Sequence, residues 1–187
     1  MQDEINAHME SAKEDMEHSL EHLAKELGKL RAGKASPVML QGVMVEYYGN
    51  PTPLGQVANI SARDSSTLSI QPWEKSMIGP IEKAIFEANL GFTPQNNGES
   101  VMINVPPLTE ERRKELVKQS KAFAEEAKVS IRSARHKIMD YLKKAMKDGY
   151  PEDAGKRKED EVEKMVQNYY EKVVKMISNK EDEIMKV

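Results

Sequence analysis

The sequence contains no cysteine. Disulfide scaffolds, thiolate metal sites and cysteine nucleophiles are therefore excluded. No apolar run approaches the roughly 18 residues that a bilayer span requires. The opening Met1-Gln2-Asp3-Glu4 is acidic and lacks the basic-then-apolar layout of a secretory signal, so a soluble, reducing, cytoplasmic setting without membrane partners is expected. Glycine-rich phosphate loops and the G-x-S-x-G nucleophile elbow are also missing, and no catalytic residue is expected. His18 and His22 stand at helical spacing near Glu14 and Glu21. No further histidine joins them, and Ser19 follows the first where a zincin helix needs glutamate, so no metal site is expected. Aromatic residues are 5% of the chain, with one tryptophan, Trp73.

What is abundant is charge. Asp, Glu, Lys and Arg make up 32% of the 187 residues, against 39% apolar residues. Long helices, which expose much of their circumference, account for that balance. The formal charge of −3 hides a partition. Residues 1–30 hold 3 basic and 8 acidic groups, whereas residues 108–148 hold 12 and 7. A near-neutral protein thus carries one basic stretch suited to a polyanion.

Periodicity divides the chain. Ile5, Met9, Ala12, Met16, Leu20, Leu23, Leu27 and Leu30 recur in steps of three and four, predicting one amphipathic helix that ends near Gly33 and Ser36-Pro37. The pattern then becomes strand-like at Val43–Tyr48, Val57–Ser61, Thr67–Gln71 and Ser100–Val105, with turns at Gly49-Asn50-Pro51 and Asn96-Asn97-Gly98. A short helix is predicted through Ile78, Ile81, Ile85 and Ala88. Trp73, after Pro72 at a strand end, is expected to anchor packing. Thr109 is placed to cap a second long helix, with Glu110 and Glu111 in its first turn and a stripe of Leu116, Phe123, Ala127, Ile131, Ala134, Ile138, Leu142 and Ala145. Asp148-Gly149-Tyr150-Pro151 stops it, and a third helix is predicted over 156–186 through Val162, Met165, Tyr169, Val173, Met176 and Ile184. Met9, Met16, Met165 and Met176 fall on these seams, where they fill core. The fold class is α+β: residues 1–30 and 108–187 form an elongated three-helix bundle, and residues 31–107 an inserted small β/α/β domain. Two connections, near 31–37 and 104–108, leave room for a hinge at Gly33, Ser36, Pro37, Pro106 and Pro107.

Advancing ~100° per residue from Lys114 puts Lys118, Lys121, Lys128, Arg132, Arg135, Lys143 and Lys147 within roughly 60° of it. The apolar stripe lies on the other side, and Glu125 alone interrupts the basic strip. A same-sign strip repels itself along the helix. Arg132 and Arg135, one turn apart, suit bidentate phosphate contacts. Structured RNA is the expected partner, read through its backbone, because no aromatic residue on this face offers stacking.

Particular blocks carry a resemblance. Leu30-Arg31-Ala32-Gly33-Lys34-Ala35-Ser36-Pro37, Val45-Glu46-Tyr47-Tyr48-Gly49, Thr52-Pro53-Leu54, Pro72-Trp73-Glu74-Lys75-Ser76-Met77, Ile81-Glu82-Lys83-Ala84-Ile85, Asn89-Leu90-Gly91 and Pro106–Lys118 resemble the bacterial ribosome recycling factor family, in register over nearly the whole chain. The resemblance implies an L-shaped, transfer-RNA-like monomer that binds large-subunit ribosomal RNA near the subunit interface. With elongation factor G and GTP, such a factor splits the post-termination ribosome. It implies no enzyme activity and no cofactor, since GTP is used by the partner. It also implies RNA contacts at Arg31, Arg113, Arg132 and Arg135, to which the strip adds Lys121 and Lys128. Where many relatives have a second arginine after the position of Arg135, this chain has His136 followed by Lys137. Lys34 similarly stands where many have arginine. A ribosome-associated hibernation or stress factor, or another helical interaction protein, shares the bundle and the basic face. The Pro106–Lys118 block and the Arg31–Pro37 junction argue against that alternative.

Overall fold

A computed structural model of the chain describes residues 1–30 and 34–186. The elements run α1 (Gln2–Lys29), β1 (Met44–Tyr47), β2 (Asn50–Pro53), α2 (Leu54–Val57), β3 (Ala58–Ala62), β4 (Thr67–Pro72), α3 (Ile78–Glu87), β5 (Pro94–Asn96), β6 (Val101–Asn104), α4 (Glu110–Lys147) and α5 (Glu152–Met185). They divide into two compact units, Met1–Leu30 with Glu110–Val187, and Arg31–Thr109. Each has its own hydrophobic core. No described helix is long and apolar enough to cross a membrane.

The first unit is a bundle of α1, α4 and α5. Its core takes Ile5, Met16 and Leu23 from α1, Ile131, Ile138 and Leu142 from α4, and Val162, Tyr169 and Val173 from α5. These are the residues that period-3.6 spacing puts on one stripe of each helix. Two serines sit in the seam. Ser19 and Ser120 are buried, and their hydroxyls donate to the carbonyls of Asp15 (3.0 Å) and Val117 (2.7 Å) within their own helices. That satisfies both polar groups without a partner helix. Tyrosines join the elements at two other points. The Tyr150 hydroxyl donates to Gln2 Oε1 at 2.8 Å, and the Tyr169 hydroxyl donates to Glu17 at 3.1 Å. Burial first, and the Glu17 carboxylate second, push the Tyr169 phenol up to about 12.

The turn between α4 and α5 follows from its residues. Gly149, at φ +107°, donates to Met146 O, and Tyr150 donates back to Ala145 O at 2.9 Å. This paired closure requires a left-handed residue that glycine supplies without strain, and Pro151 then bars continuation. The third helix begins at Glu152, not near residue 156. Glu152 and Asp153 favour its first turn through the helix dipole, a signal that apolar periodicity does not register.

The second unit places α3 against an antiparallel sheet of order β3-β4-β6-β5, beside a separate β1-β2 hairpin. Leu68 and Ile70 of β4, Val101 and Ile103 of β6, and Ile81 and Ile85 of α3 are fully buried. Asn50 and Pro51, read as turn residues from the sequence, belong to β2. The turn is Tyr48-Gly49 alone, both at positive φ (47° and 81°). A two-residue turn of that kind matches the strand twist. β5 was not anticipated: its three residues lie on an exposed edge, too short to show alternation. Trp73 does not anchor packing. Its side chain is 68% exposed, although its backbone N–H donates to Val57 O at 3.1 Å. The backbone is held while the ring is turned out.

Both segments bordering the unit are tied to one turn. Ala35 N–H donates to Ser65 O at 2.8 Å, and Val105 N–H donates to Ser66 O at 2.6 Å. Ser36 caps a short 3₁₀ turn over Pro37–Leu40, its hydroxyl accepting from Val38 N–H.

Candidate nucleic-acid interface

Helix α4 carries the basic strip over 38 residues, about 57 Å at ~1.5 Å per residue. Ala124, Ala127, Ile131, Ala134, Ile138, Leu142 and Ala145 are buried toward α1 and α5, which turns the opposite face of the helix outward. Lys114, Lys118, Lys121, Arg132, Lys143 and Lys147 are exposed on it. The strip is thus one continuous surface, set by the same periodicity that buries the stripe.

Its charges are not equivalent. Arg135 reaches across to α5, where both its Nε and Nη2 donate to Glu163 Oε1, the former at 3.0 Å. That hydrogen bond pushes the guanidinium further above its ordinary range. Lys121 Nζ lies 3.9 Å from Glu181 of α5, and Lys128 Nζ lies 3.5 Å from Glu125 on its own helix. Arg132, between them, has no ion pair among the described residues, and the same holds for Lys114, Lys118, Lys143 and Lys147. The expectation of an uncompensated strip therefore needs correction at three positions. A signal for the two interhelical pairs exists in the sequence: α4 and α5 are antiparallel about the turn at 148–151, and Glu163 and Arg135 are nearly equidistant from it.

The other positions differ in kind. Arg113 is half-buried on the apolar side of α4, and its Nε is buried without a hydrogen-bond partner among the described residues. His136 is exposed, with Nε2 3.1 Å from Asp140. Arg31 and Gly33 lie outside the described residues. Pro106 and Pro107 are exposed, while Ser36 and Pro37 belong to the capped 3₁₀ turn of the second unit. Among the described residues, no three His, Asp or Glu side chains are arranged to hold a metal ion.

Comparison with known proteins bears on this helix and on the whole chain. The ribosome recycling factor family matches residues 23–185. The ribosome-recycling factor of Christiangramia forsetii is 57% identical over 185 residues, covering 99% of this chain and all of the relative. The chain belongs to the ribosome recycling factor family. The ribosome-recycling factor of Flavobacterium johnsoniae is 50% identical, with both chains fully covered. Among solved structures, a ribosome recycling factor in solution superposes with a TM-score of 0.78 at 34% identity, with 98% of each chain covered. A second, at TM-score 0.54 and 41% identity over 97% of this chain and 95% of the other, is the Thermus thermophilus factor. It was described with Escherichia coli elongation factor G bound to the E. coli post-termination complex. As in other ribosome recycling factors, a long helical unit is combined here with a small β/α unit.

Proposed function

We propose that this chain recycles ribosomes: it binds the post-termination complex and, with elongation factor G and GTP, separates the subunits so that messenger and transfer RNA are released. Family membership at 57% identity across the full length of a relative supports this reading. The chain contributes binding and mechanical coupling in the cytoplasm, as a monomer. GTP hydrolysis belongs to the partner, and no cofactor or covalent step is assigned to this chain.

The bundle docks on ribosomal RNA of the large subunit through α4. Arg132, with no intramolecular ion pair, is the primary phosphate contact; Arg135, Lys121 and Lys128 join it by exchanging carboxylates for phosphates. Arg113 extends the contact toward the start of α4, and Arg31 is carried as a further RNA contact. Binding draws on counter-ion release and is therefore salt-dependent. The second unit moves about the two connections near 31–37 and 104–108. The hydrogen bonds of Ala35 and Val105 to the 65–66 turn fasten the second-unit ends of both connections, which supports a pivot at Pro106-Pro107 on the second of them. Ser36 and Pro37 then form the folded rim on which the pivot turns.

Light scattering of purified post-termination ribosomes tests the proposal. Subunit splitting that requires this chain, elongation factor G and GTP together is the expected result. Binding without splitting, with a translocase from the same source, overturns it in favour of a hibernation factor. A cross-link that locks the two units and leaves splitting at full rate overturns the pivot.

A further inference from the structure

The second unit contains a recess of about 280 Å³ lined by Tyr47, Thr52, Gln56, Trp73, Glu74 and Met77. Its chemistry is concentrated on one carboxylate. The Tyr47 hydroxyl donates to Glu74 Oε1 and the Tyr48 hydroxyl to Glu74 Oε2, each at 3.1 Å. The two tyrosine rings meet edge to face, 4.5 Å between centroids. Glu74 is thereby held in place with both oxygens keeping lone pairs for further donors. Two open aromatic residues stand beside it: Trp73, its neighbour in the recess lining, is 68% exposed, and Tyr48, which reaches it through its hydroxyl, is 78% exposed. Tyr48 also occupies the left-handed region at φ 47°, a conformation that costs energy for a bulky aromatic residue. Among the described residues, no lysine or arginine lines the recess.

A pinned carboxylate flanked by open indole and phenol rings is complementary to a planar cation. The carboxylate accepts paired N–H donors, and the ring faces attract the positive charge. We propose that this recess is a receptor for an arginine side chain presented by a basic segment of a protein partner. The same negative charge repels a phosphate backbone, so a nucleic acid is disfavoured although the rings alone could stack on bases. The recess lies wholly within the second unit and does not depend on the RNA contacts assigned to α4.

Trp73 is the only tryptophan, so its signals report on the recess directly. The probes are the acetylated, amidated peptides Gly-Arg-Gly-Arg-Gly, Gly-Lys-Gly-Lys-Gly and Gly-Gln-Gly-Gln-Gly, and decauridylate, each titrated into the full chain. The arginine peptide is expected to give a saturable change in Trp73 fluorescence with a millimolar or tighter Kd, the lysine peptide a weaker one and the glutamine peptide none. Glu74→Gln, which keeps an acceptor for one tyrosine and turns an amide N–H to the phenol oxygen of the other, is expected to weaken the arginine peptide at least tenfold. Circular dichroism checks that this variant is folded. If it is not, the order of the three peptides on the wild-type Trp73 indole N–H resonance decides alone. No saturable change with the arginine peptide, an equal response to the glutamine peptide, unchanged affinity in folded Glu74→Gln, or saturation by decauridylate would each overturn the proposal.

Discussion

Removing a negative charge that belongs to the protein itself should strengthen RNA binding through one particular arginine. Arg135 and Glu163 form a hydrogen-bonded ion pair across α4 and α5 with side chains 40% and 49% exposed. At that exposure such a pair is worth about 0.5 kcal/mol. A phosphate that engages Arg135 must first displace Glu163, so that energy is subtracted from binding. Glu163→Gln should return most of it, and about 0.5 kcal/mol corresponds to a two- to threefold tighter Kd. Deleting any carboxylate near a polyanion also helps slightly through the general field, which the second half of a double-mutant cycle removes. In an Arg135→Ala background, Glu163→Gln should give only that general gain. Arg132 provides the matching control: with no partner to regain, Arg132→Ala should cost about 0.5 kcal/mol more than Arg135→Ala. Each arginine removed should also flatten the plot of log K against log[salt] by about 0.7–0.9. The assay is fluorescence anisotropy of labelled protein with isolated large subunits over a range of salt. Equal effects of Glu163→Gln with and without Arg135 would refute the displacement argument. An unchanged salt slope in Arg135→Ala would remove that residue from the phosphate contacts.

Three other outcomes concern stability. A Cβ added at Gly155 would overlap Met146 Sδ and approach its Cγ to 2.6 Å, so Gly155→Ala sets a helix-propensity gain of about 1 kcal/mol against ~1–3 kcal/mol of repacking. A lower Tm is expected for the single variant, and Met146→Ala in the same chain should turn Gly155→Ala stabilising; a higher Tm in the single variant contradicts the close packing. Ser120→Ala should change stability by less than ~0.5 kcal/mol in urea unfolding, because the lost hydroxyl bonds only to a carbonyl of its own helix. The Tyr169 phenol, raised from its ordinary value of 10 to about 12, binds its proton more tightly in the folded state. Its contribution is complete below pH 10 and lost as pH climbs through 12, so the stability advantage over Tyr169→Phe should shrink across that window in thermal melts.

The helices, the division of the chain and the outward face of α4 were legible because each is encoded locally. Ile131, Ala134, Ile138 and Leu142 define a stripe whatever they pack against, and the basic residues fall opposite by geometry alone. The stop at Gly149-Tyr150-Pro151 is likewise a short-range event. The contiguous blocks from Arg31 to Pro37 and from Pro106 to Lys118 were enough to indicate the family. Features that depend on two distant segments meeting were not readable in this way. Trp73, following Pro72 at a strand end, read as a packing anchor, yet its backbone is fastened to Val57 and its ring left outside. Glu74 gained its place between Tyr47 and Tyr48 only because the folding of the second unit brings residues 26 and 27 positions apart together. The strip on α4 read as positive apart from Glu125, but α5 returns alongside with Glu163 and Glu181 and neutralises two of its members. Local spacing determines which face a side chain occupies, whereas its effective charge depends on the neighbour that tertiary packing sets beside it.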